Sequence, residues 1–470
     1  MTNIIFSLFR QTLAPALAAI LILSVTASCI EDEVDSSPSS QPEFSARLIE
    51  MGEFFTGERT PRSCLMVYNR HDKVMRLSNV SLRDAGSGVF RMNVDGMAGD
   101  TFSDVEIRPQ DSIYVYIDAL LPENGSPQPG EVRGYIDFLT NGVANTVEIK
   151  ATGQDVRRVH ATEITADERW DAEMPYQIYD SIVVRPGATL TLPRGAKLHF
   201  HDKAYMRVYG SLVTEGEPDA LVELSGDRRG NVVGDIPFDL MASQWTGLHF
   251  APGSMGNRLS HTVVCNTSAG VLADEGTEVV MVNCRLRNSA GYALESRHAT
   301  LTLAGCEVAD ASLGAFRMTG GEVTANHCTF ANYYLFTAPM GAIVQIDHFD
   351  ASSDDGSGRP YLKADITNSI LYGNGTDFSA GDLDGTEVTL RRCVLKSNGS
   401  DDRNFVECLW GTDPMFATVR EDYYFDYRLK GESPALTHAD AALTSPLTAR
   451  DLYGEPRLPS PRPGAYQSGL

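Results

Sequence analysis

The chain has 470 residues, of which 42% are apolar, and it carries a formal net charge of −23 at pH 7. This length exceeds one ordinary domain, and the apolar content is ample for a buried core. Nucleic acid and anionic lipid head groups are both negatively charged, so a surface of this sign disfavours them as partners. We therefore expect no nucleic-acid ligand.

The first 28 residues predict a secretory signal. They are apolar, with a core from Leu13 to Val25 that is short for a membrane span. Small residues precede Cys29 (TASC) and acidic residues follow it, a pattern that resembles the signal of surface-exported lipoproteins of Bacteroidetes-type bacteria. The resemblance implies that Cys29 is lipidated and anchors the protein at the outer membrane, exposed at the cell surface. An ordinary membrane helix or a cleaved signal is the alternative, and residues 29–43 predict an acidic, Ser- and Pro-rich tether.

Residues 44–155 predict a β-sandwich. Short runs of alternating apolar and polar residues, such as CLMVYNR, DSIYVYIDALL and GYIDFLTNG, are separated by turn residues. About seven strands without a repeat favour an antiparallel sandwich. From Asp111 to Asp155 the strand rhythm and the TNG and GQD turns resemble the Ig-like modules that accompany β-helices in Bacteroidetes surface proteins, which implies an Ig-like fold.

A repeat dominates residues 156–410. Cys284, Cys306 and Cys328 follow one another at intervals of 22 residues, and the same local pattern returns around Ser369 and Cys393. In each copy the positions five and three before this slot and two after it are apolar, and the residue directly before the slot is Asn or Gly in three of five copies, which suits a left-handed bend. A period in the low twenties is typical of a solenoid. Because apolar residues two apart share one face of a strand, each copy predicts one coil of a parallel β-helix in an all-β protein.

The slot residues are expected to form an inward ladder. Neighbouring coils lie about 4.8 Å apart, and cysteine is a small hydrophobe suited to such a column. We predict reduced, structural cysteines, with disulfides or a metal site as the alternatives. One coil earlier, aligning Gly270 with Gly291 places Val263 in the slot and Cys265 two residues later, both facing inward.

Two segments depart from this rhythm. The interval between Cys328 and Ser369 is 41 residues, which predicts either an extra coil containing AIVQIDHF or a large loop. Residues 411–470 contain DPMF, DYRLKGESPAL and DLYGEPRLPSPRPGAYQ, and they resemble the C-terminal end of a large group of bacterial surface proteins with the pectate-lyase-like fold. The resemblance implies a right-handed β-helix that this segment caps.

This fold also hosts polysaccharide lyases and glycoside hydrolases, but the hydrolase signatures NTD, GHG and RIK are absent, and the sequence assigns no catalytic residue. The acidic loop HFDASSDDGSGRP supplies candidate metal ligands, with calcium as the alternative to no cofactor: Asp350, Asp354 and Asp355. Sugar rings stack on exposed aromatic side chains, for which two adjacent pairs are candidates, with packing against an insertion as the alternative: Tyr333, Tyr334, Tyr423 and Tyr424.

We predict a lipid-anchored cell-surface protein without enzymatic activity that binds a glycan or a host or cell-surface ligand. The alternative is a polysaccharide lyase or glycoside hydrolase acting on acidic polysaccharide along the groove of the β-helix. Three carboxylates with a basic residue on adjacent coils would favour the enzyme. A shelf of exposed aromatic side chains would favour binding.

Overall fold

The computed structural model describes residues 33–83, 87–233, 236–347, 361–381, 383 and 386–467. The signal segment and Cys29 therefore lie outside the described residues. The chain divides into two compact units, one made of the residues up to Asn124 with Gly130–Gly153, the other of Gly125–Pro129 and the chain from Gln154 onward. In the part of the chain that is described, no helix is long and apolar enough to cross a membrane.

The first unit is a β-sandwich of a six-stranded and a five-stranded sheet. Alternate residues of the strands point between the sheets, where Leu77, Val115 and Phe138 are fully buried. The Ig-like assignment stays a prediction. The six-stranded sheet contains Val34–Asp35, Leu48–Phe55, Val74–Arg83, Thr101–Ile107, Gly130–Thr140 and Val143–Gln154, and the five-stranded sheet contains Glu43–Phe44, Ser63–Tyr68, Phe90–Val94, Met97–Ala98 and Ser112–Ala119.

The N-terminal stretch from residue 34 belongs to this unit. Val34 pairs in parallel register with Val74. Asp35 accepts hydrogen bonds from the backbone N–H of Ser37 at 2.9 Å and from the hydroxyl of Ser40 at 2.6 Å. Ser40 is buried. The expected flexible tether therefore does not extend through residues 34–43, because the Asp35 carboxylate closes a turn that packs onto the sandwich.

The second unit is a parallel β-helix with three columns of strands, which confirms the predicted fold class. The first face precedes the slot, the second follows it, and the third follows the next corner. Two longer strands, Arg157–Ile164 and Tyr176–Val184, open the solenoid and lead into both the second and third faces.

The strands of each face pair in order along the solenoid. The first face contains Glu168–Arg169, Thr189–Leu192, Ser211–Glu215, Asn257–Ser260, Glu278–Val282, Thr300–Ala304, Gly321–Asn326, Leu362–Thr367, Glu387–Arg391 and Phe405–Val406. The second contains Lys197–Phe200, Val222–Gly226, Thr262–Cys265, Arg285–Arg287, Glu307–Ala309, Thr329–Asn332, Ile370–Gly373 and Val394–Leu395. The third contains Tyr205–Val208, Gly247–Phe250, Val271–Ala273, Tyr292–Arg297, Gly314–Thr319, Val344–Asp347 and Phe378–Ala380.

Shorter elements lie outside the three faces. Asn231–Val233 pairs with Ile236–Pro237, and Phe416–Val419 pairs with Phe425–Leu429, each as an antiparallel hairpin. Single 3₁₀ turns occur at Phe238–Leu240, Glu421–Tyr423, Ala441–Leu443 and Pro446–Thr448.

Each coil turns from the first to the second face at a residue in the left-handed conformation. All five bend residues have φ between 50° and 66°: Asn283, Gly305, His327, Asn368 and Arg392. Their backbone N–H groups donate to carbonyls of the following coil, as Asn283 does to Ala304 at 2.7 Å. Sequence propensity predicted this conformation only for Asn and Gly. His327 and Arg392 adopt it as well, because the ladder on both sides outweighs the modest cost of the conformation.

The slot side chains line the interior. All five are fully buried: Cys284, Cys306, Cys328, Ser369 and Cys393. The four cysteines are free thiols. The hydroxyl of Ser369 donates to the carbonyl of Thr367 at 2.8 Å, and the Sγ of Cys306 lies 3.6 Å from the equivalent carbonyl of Ala304. Cysteine and serine therefore occupy the slot in the same way.

The coil before Cys284 is shifted by one residue from the prediction. Val263 pairs with Arg285 and Cys265 pairs with Arg287, so both face outward, whereas Thr262 is buried. The alignment on Gly270 was wrong because Val271 pairs with Leu294 on the third face, so Gly270 stands level with Ala293 rather than with Gly291. A Cβ on Gly270 would lie 2.0 Å from the carbonyl oxygen of Tyr292. Counting 22 residues back from Cys284 arrives at Thr262, the true slot residue.

The 41-residue interval is one coil with large loops. Gly321–Asn326 pairs directly with Leu362–Thr367, and Thr329–Asn332 pairs directly with Ile370–Gly373. In the described part of the AIVQIDHF stretch, Val344–Asp347 forms a third-face strand. The large-loop alternative is therefore correct, because the directly paired strands leave no room for an extra coil between them.

The C-terminal segment, residues 411–467, lies along the outward side of the second face. The Tyr427 hydroxyl donates to Asp310 at 2.6 Å. The backbone N–H of Ala465 donates to Thr329 Oγ1 at 2.9 Å, and Asn368 Nδ2 donates to the carbonyl of Asp440 at 2.9 Å. These contacts fix the segment to the side of the solenoid, whereas closure of the last coil by it stays a prediction.

Candidate functional site

Two columns of side chains point outward from the second face. Because the strands are in register, equivalent residues of successive coils lie about 4.8 Å apart. The first column contains Lys197, Glu223, Val263, Arg285, Glu307, Thr329, Ile370 and Val394. The second column, two residues further along each strand, contains His199, Ser225, Cys265, Arg287, Ala309, Ala331 and Tyr372.

The character of these columns changes halfway along the solenoid. From Ala309 onward the outward residues are mostly small or apolar, and they form a buried cluster with Tyr427, Ala465 and Tyr466 of the C-terminal segment. The earlier coils present charged and polar residues, which this cluster does not cover. The composition of the columns therefore determines where the C-terminal segment packs and where the face is left accessible.

A cleft of about 330 Å³ lies over the polar half of the columns. Its floor is formed by second-face residues, namely Glu223, Ser225, Val263, Cys265, Arg285, Arg287 and Glu307. One wall contains Asp239 and Leu240 with Asn266 and Asn288, and the other contains Tyr423, Tyr424, Phe425, Asp426, Tyr453 and Tyr466. The cleft thus combines carboxylates, arginines and tyrosines.

Glu307 and the two arginines form the charged centre of the floor. Glu307 is 2% exposed and its Oε2 accepts a hydrogen bond from the hydroxyl of Tyr466, while its Oε1 has no partner among the described residues. Burial raises the pKa of Tyr466 well above its ordinary value, so the phenol keeps the proton that it donates. Arg285 lies one strand step from Glu307 and its guanidinium stands 5.3 Å from the ring centre of Tyr453.

These arginines are not neutralised by direct ion pairs. Within the described residues, no carboxylate oxygen lies within 4.0 Å of the guanidinium nitrogens of Arg285 or Arg287. Burial opposes the charge of Arg285, but Tyr466 and Glu307 outweigh it and raise the pKa of Arg285. Arg287 also has a raised pKa. Burial is the largest single effect and lowers this pKa, but the attraction of Glu307, together with the smaller effects of the other neighbours, outweighs it. Both side chains therefore remain charged at the floor.

A chain of hydrogen bonds orients Glu223 at the other end of the floor. Ser225 Oγ donates to Glu223 Oε1 at 2.8 Å. His199 Nδ1 lies 2.9 Å from Ser225 Oγ. Since the single hydroxyl proton of Ser225 goes to the carboxylate, Nδ1 must be the donor in this second bond. Nε2 of His199 then accepts from Arg229 at 2.8 Å.

The tautomer of His199 is fixed by its surroundings. Burial and then the positive charge of Arg229 hold the pKa of His199 well below its ordinary value. The ring is therefore neutral near pH 7, and the bond to Ser225 places its proton on Nδ1.

Each wall of the cleft is attached to the solenoid. Asn266 Nδ2 and Asn288 Nδ2 both donate to the carbonyl of Asp239, at 2.7 and 2.8 Å. In the opposite wall, Asp426 is buried and pairs with Arg428. Side chains at the coil corners thus attach one wall to the solenoid, and the C-terminal hairpin forms part of the other wall.

The structure separates the four candidate tyrosines. Tyr423 and Tyr424 line the cleft and are 41% and 58% exposed. Tyr333 packs against Phe416 and Tyr427, with ring centres 6.4 and 6.1 Å apart, and burial raises its pKa. Tyr334 is 8% exposed. The second pair thus lies in the cleft, whereas Tyr333 packs under the C-terminal segment and Tyr334 packs beside Phe336, with ring centres 5.8 Å apart.

The remaining candidates lie elsewhere. Asp350, Asp354 and Asp355, like Cys29, are outside the described residues. Among the residues that the structure does describe, no three His, Cys, Asp or Glu side chains are grouped so that they could hold a metal ion. The ladder residues point into the solenoid, away from the cleft.

Sequence reasoning missed the floor of the cleft. Arg285, Arg287 and Glu307 occupy the first and third positions after the slot, which the repeat assigns to the outside of the solenoid. In later coils the same positions carry Thr329, Ile370 or alanine. A change from charged to apolar residues at one outward position was therefore the available signal.

Comparisons with known proteins give no family. No family model matches the chain, and no curated protein matches it. Among solved structures, a protein of unknown function from Porphyromonas gingivalis W83 is similar over 27% of this chain and 50% of that chain, at 15% identity and a TM-score of 0.19. The catalytic domain of a GH87 alpha-1,3-glucanase in complex with nigerose aligns over 80% and 93%, at 9% identity and a TM-score of 0.19. A GH87 alpha-1,3-glucanase from Streptomyces thermodiastaticus strain HF3-3 aligns over 74% and 89%, at 10% identity and a TM-score of 0.19.

Proposed function

We propose that the protein binds a glycan in the cleft between the second face and the C-terminal segment. The observation that carries this proposal is the pairing of exposed tyrosines in one wall with unpaired charged groups in the floor. Aromatic faces stack on the C–H faces of sugar rings, and hydroxyl groups both donate and accept hydrogen bonds. Tyr423 and Tyr424 supply the faces, and Glu223 with Arg285 and Arg287 supplies acceptors and donors.

The size and rigidity of the cleft support this proposal. A volume of about 330 Å³ lies at the lower end of the range for small-ligand sites, which suits one or two sugar rings. Glu223 and Glu307 are each held by a hydrogen bond from a protein hydroxyl. Preorganised polar groups of this kind lose little conformational freedom when a ligand binds.

The carboxylates of the floor do not favour the alternative, a glycoside hydrolase. Glu223 and Glu307 stand in one column, with Val263 and Arg285 between them. Three strand steps put their Cα atoms about 14 Å apart, while the two carboxyl groups themselves are about 5 Å apart in a retaining glycosidase and about 6.5–9.5 Å apart in an inverting one. Arg285 occupies the space between them. Binding without hydrolysis is the function that this arrangement supports better.

The proposal is tested with purified mature protein on an array of oligosaccharides, followed by titration calorimetry with the best ligand. Tyr424→Ala should weaken binding about 10-fold or more, since stacking of an exposed ring contributes on the order of 1 kcal/mol or more. Tyr114→Ala is the matched control, because Tyr114 is 47% exposed on the first unit. Absence of binding to every glycan, or equal effects of the two substitutions, would count against the proposal.

The proposed setting of this activity is the outer surface of a bacterial outer membrane. The support is the sequence around Cys29, which resembles a lipoprotein signal, and the Ig-like resemblance of the first unit. Cys29→Ala should release the protein from the membrane fraction into the soluble fraction. A variant that stays membrane-bound contradicts lipid anchoring and leaves the glycan proposal untouched.

A further inference from the structure

The floor of the cleft is electrostatically balanced. Arg285 and Arg287 bring two positive charges, and the carboxylates of Glu307 and Glu223 bring two negative charges in the same pair of columns. Asp239 adds a further carboxylate in one wall, while Asp426 is already paired with Arg428. An acidic ligand would therefore meet as much repulsion as attraction.

Glu307 is the residue that sets this balance. It lies one strand step from Arg285, about 4.8 Å along the column, and its Oε1 is buried without a hydrogen-bond partner among the described residues. A buried, unpaired carboxylate oxygen is expensive to keep, so it calls for a compensating role. Here it offsets the two guanidiniums without locking either of them in an ion pair.

The geometry points to Glu307 as a specificity-determining residue that makes the cleft select uncharged sugars over acidic ones such as uronic acids. This inference rests on the proposed glycan binding. Guanidiniums that are charged but free of direct ion pairs remain able to donate to sugar hydroxyls. The nearby Glu307 cancels the field that would otherwise attract a carboxylate or sulfate of the ligand.

The test is a gain of function in Glu307→Gln. Glutamine has the same shape, and its carbonyl still accepts the Tyr466 hydroxyl, so only the charge is removed. Wild-type protein and variant are compared on neutral glucan, mannan, xylan and galactan oligomers and on oligogalacturonate and alginate oligomers. The variant should bind the acidic oligomers at least about 10-fold more tightly than wild type at low salt, with the gain shrinking as salt is raised. Binding of neutral oligomers should change less than about 3-fold.

Glu278→Gln is the matched control. Glu278 is exposed on the first face, so this substitution removes the same charge from a face that does not form the cleft floor. A control with the same gain would show that net charge alone is responsible and would overturn the inference. So would a wild type that prefers acidic oligomers, or a Glu307→Gln variant that folds with unchanged melting temperature and gains nothing. If neither class of oligomer binds the wild type, the proposed function itself fails. This outcome is distinct from the others, because in each of them the wild type or the variant binds at least one class of oligomer.

Discussion

Asp310 should make the second unit less stable as the pH rises through 6. The carboxyl group is fully buried and accepts from the Tyr427 hydroxyl at 2.6 Å and from the backbone N–H of Tyr333 at 2.9 Å. Burial raises the pKa of Asp310 to about 6, against the lowering effect of these hydrogen bonds. Glu307 raises this pKa further, and Arg287 lowers it. Below about pH 6 the protonated form of Asp310 is therefore the favoured one in the folded protein.

The size of the effect follows from linkage. An aspartate in the unfolded chain has a pKa of about 3.9. Because the folded pKa is higher, the stabilising contribution is complete below pH 4 and is lost as the pH rises through 6. Between pH 4.5 and 7.5 the loss amounts to about 2 kcal/mol. Asp310→Asn removes the titrating group and should remove this part of the pH dependence.

The assay is urea unfolding followed by tryptophan fluorescence, which reports the second unit because all three tryptophans of the chain (Trp170, Trp245 and Trp410) belong to it. The free-energy difference between Asp310→Asn and wild type should shift in favour of the variant by about 2 kcal/mol from pH 4.5 to pH 7.5. Asp202→Asn, in an exposed turn, is the control and should show no such shift. A difference between Asp310→Asn and wild type that stays constant across this range would refute the reasoning.

Four further substitutions at three positions probe the coils by the same assay. Cys306→Ser should lower the free energy of unfolding by about 1 kcal/mol or less, since Ser369 already satisfies its hydroxyl in the same slot. Cys306→Val should lower it more, because valine overpacks the ladder. The reverse order would contradict the equivalence of the slots. Gly270→Ala should cost at least about 2 kcal/mol, because its Cβ would lie 2.0 Å from the carbonyl oxygen of Tyr292 at a φ of 75°, and a neutral result would show that the two coils can separate there. Phe330→Ala should cost about 3–5 kcal/mol, because the ring is fully buried 5.8 Å from that of Phe316, and a cost below about 1 kcal/mol would mean that the interior collapses around the gap.

The repeat made the solenoid predictable because its inward positions obey a local rule. Cys284, Cys306 and Cys328 recur with apolar neighbours at fixed offsets, and side-chain alternation along a strand then fixes which residues are inside. The rule failed where the offset between two coils differs from one face to the next. Gly270 was matched to Gly291, whereas the third-face register places it level with Ala293, so the coil was misplaced by one residue.

The candidate site was only half predictable. Tyr423 and Tyr424 were selected because sugar rings stack on exposed aromatic side chains and one residue of an adjacent pair faces outward, and both residues line the cleft. The floor was missed because its residues come from four coils and acquire meaning only when the C-terminal segment leaves them uncovered. Tyr466 and Glu307 are 159 positions apart in the chain, and no local pattern connects residues at such a separation.

The coil of 41 residues stays in register with its neighbours of 22 and 24 residues. Loop-closure entropy grows slowly with length, so excursions between faces can lengthen without disturbing the ladder. The wall that carries Asp239 is such an excursion, inserted between Val222–Gly226 and Gly247–Phe250, and Asn266 and Asn288 both donate to the Asp239 carbonyl. A change of sequence around Asp239 that keeps this carbonyl would redraw one side of the cleft, while the strands that carry the charged floor stay in place.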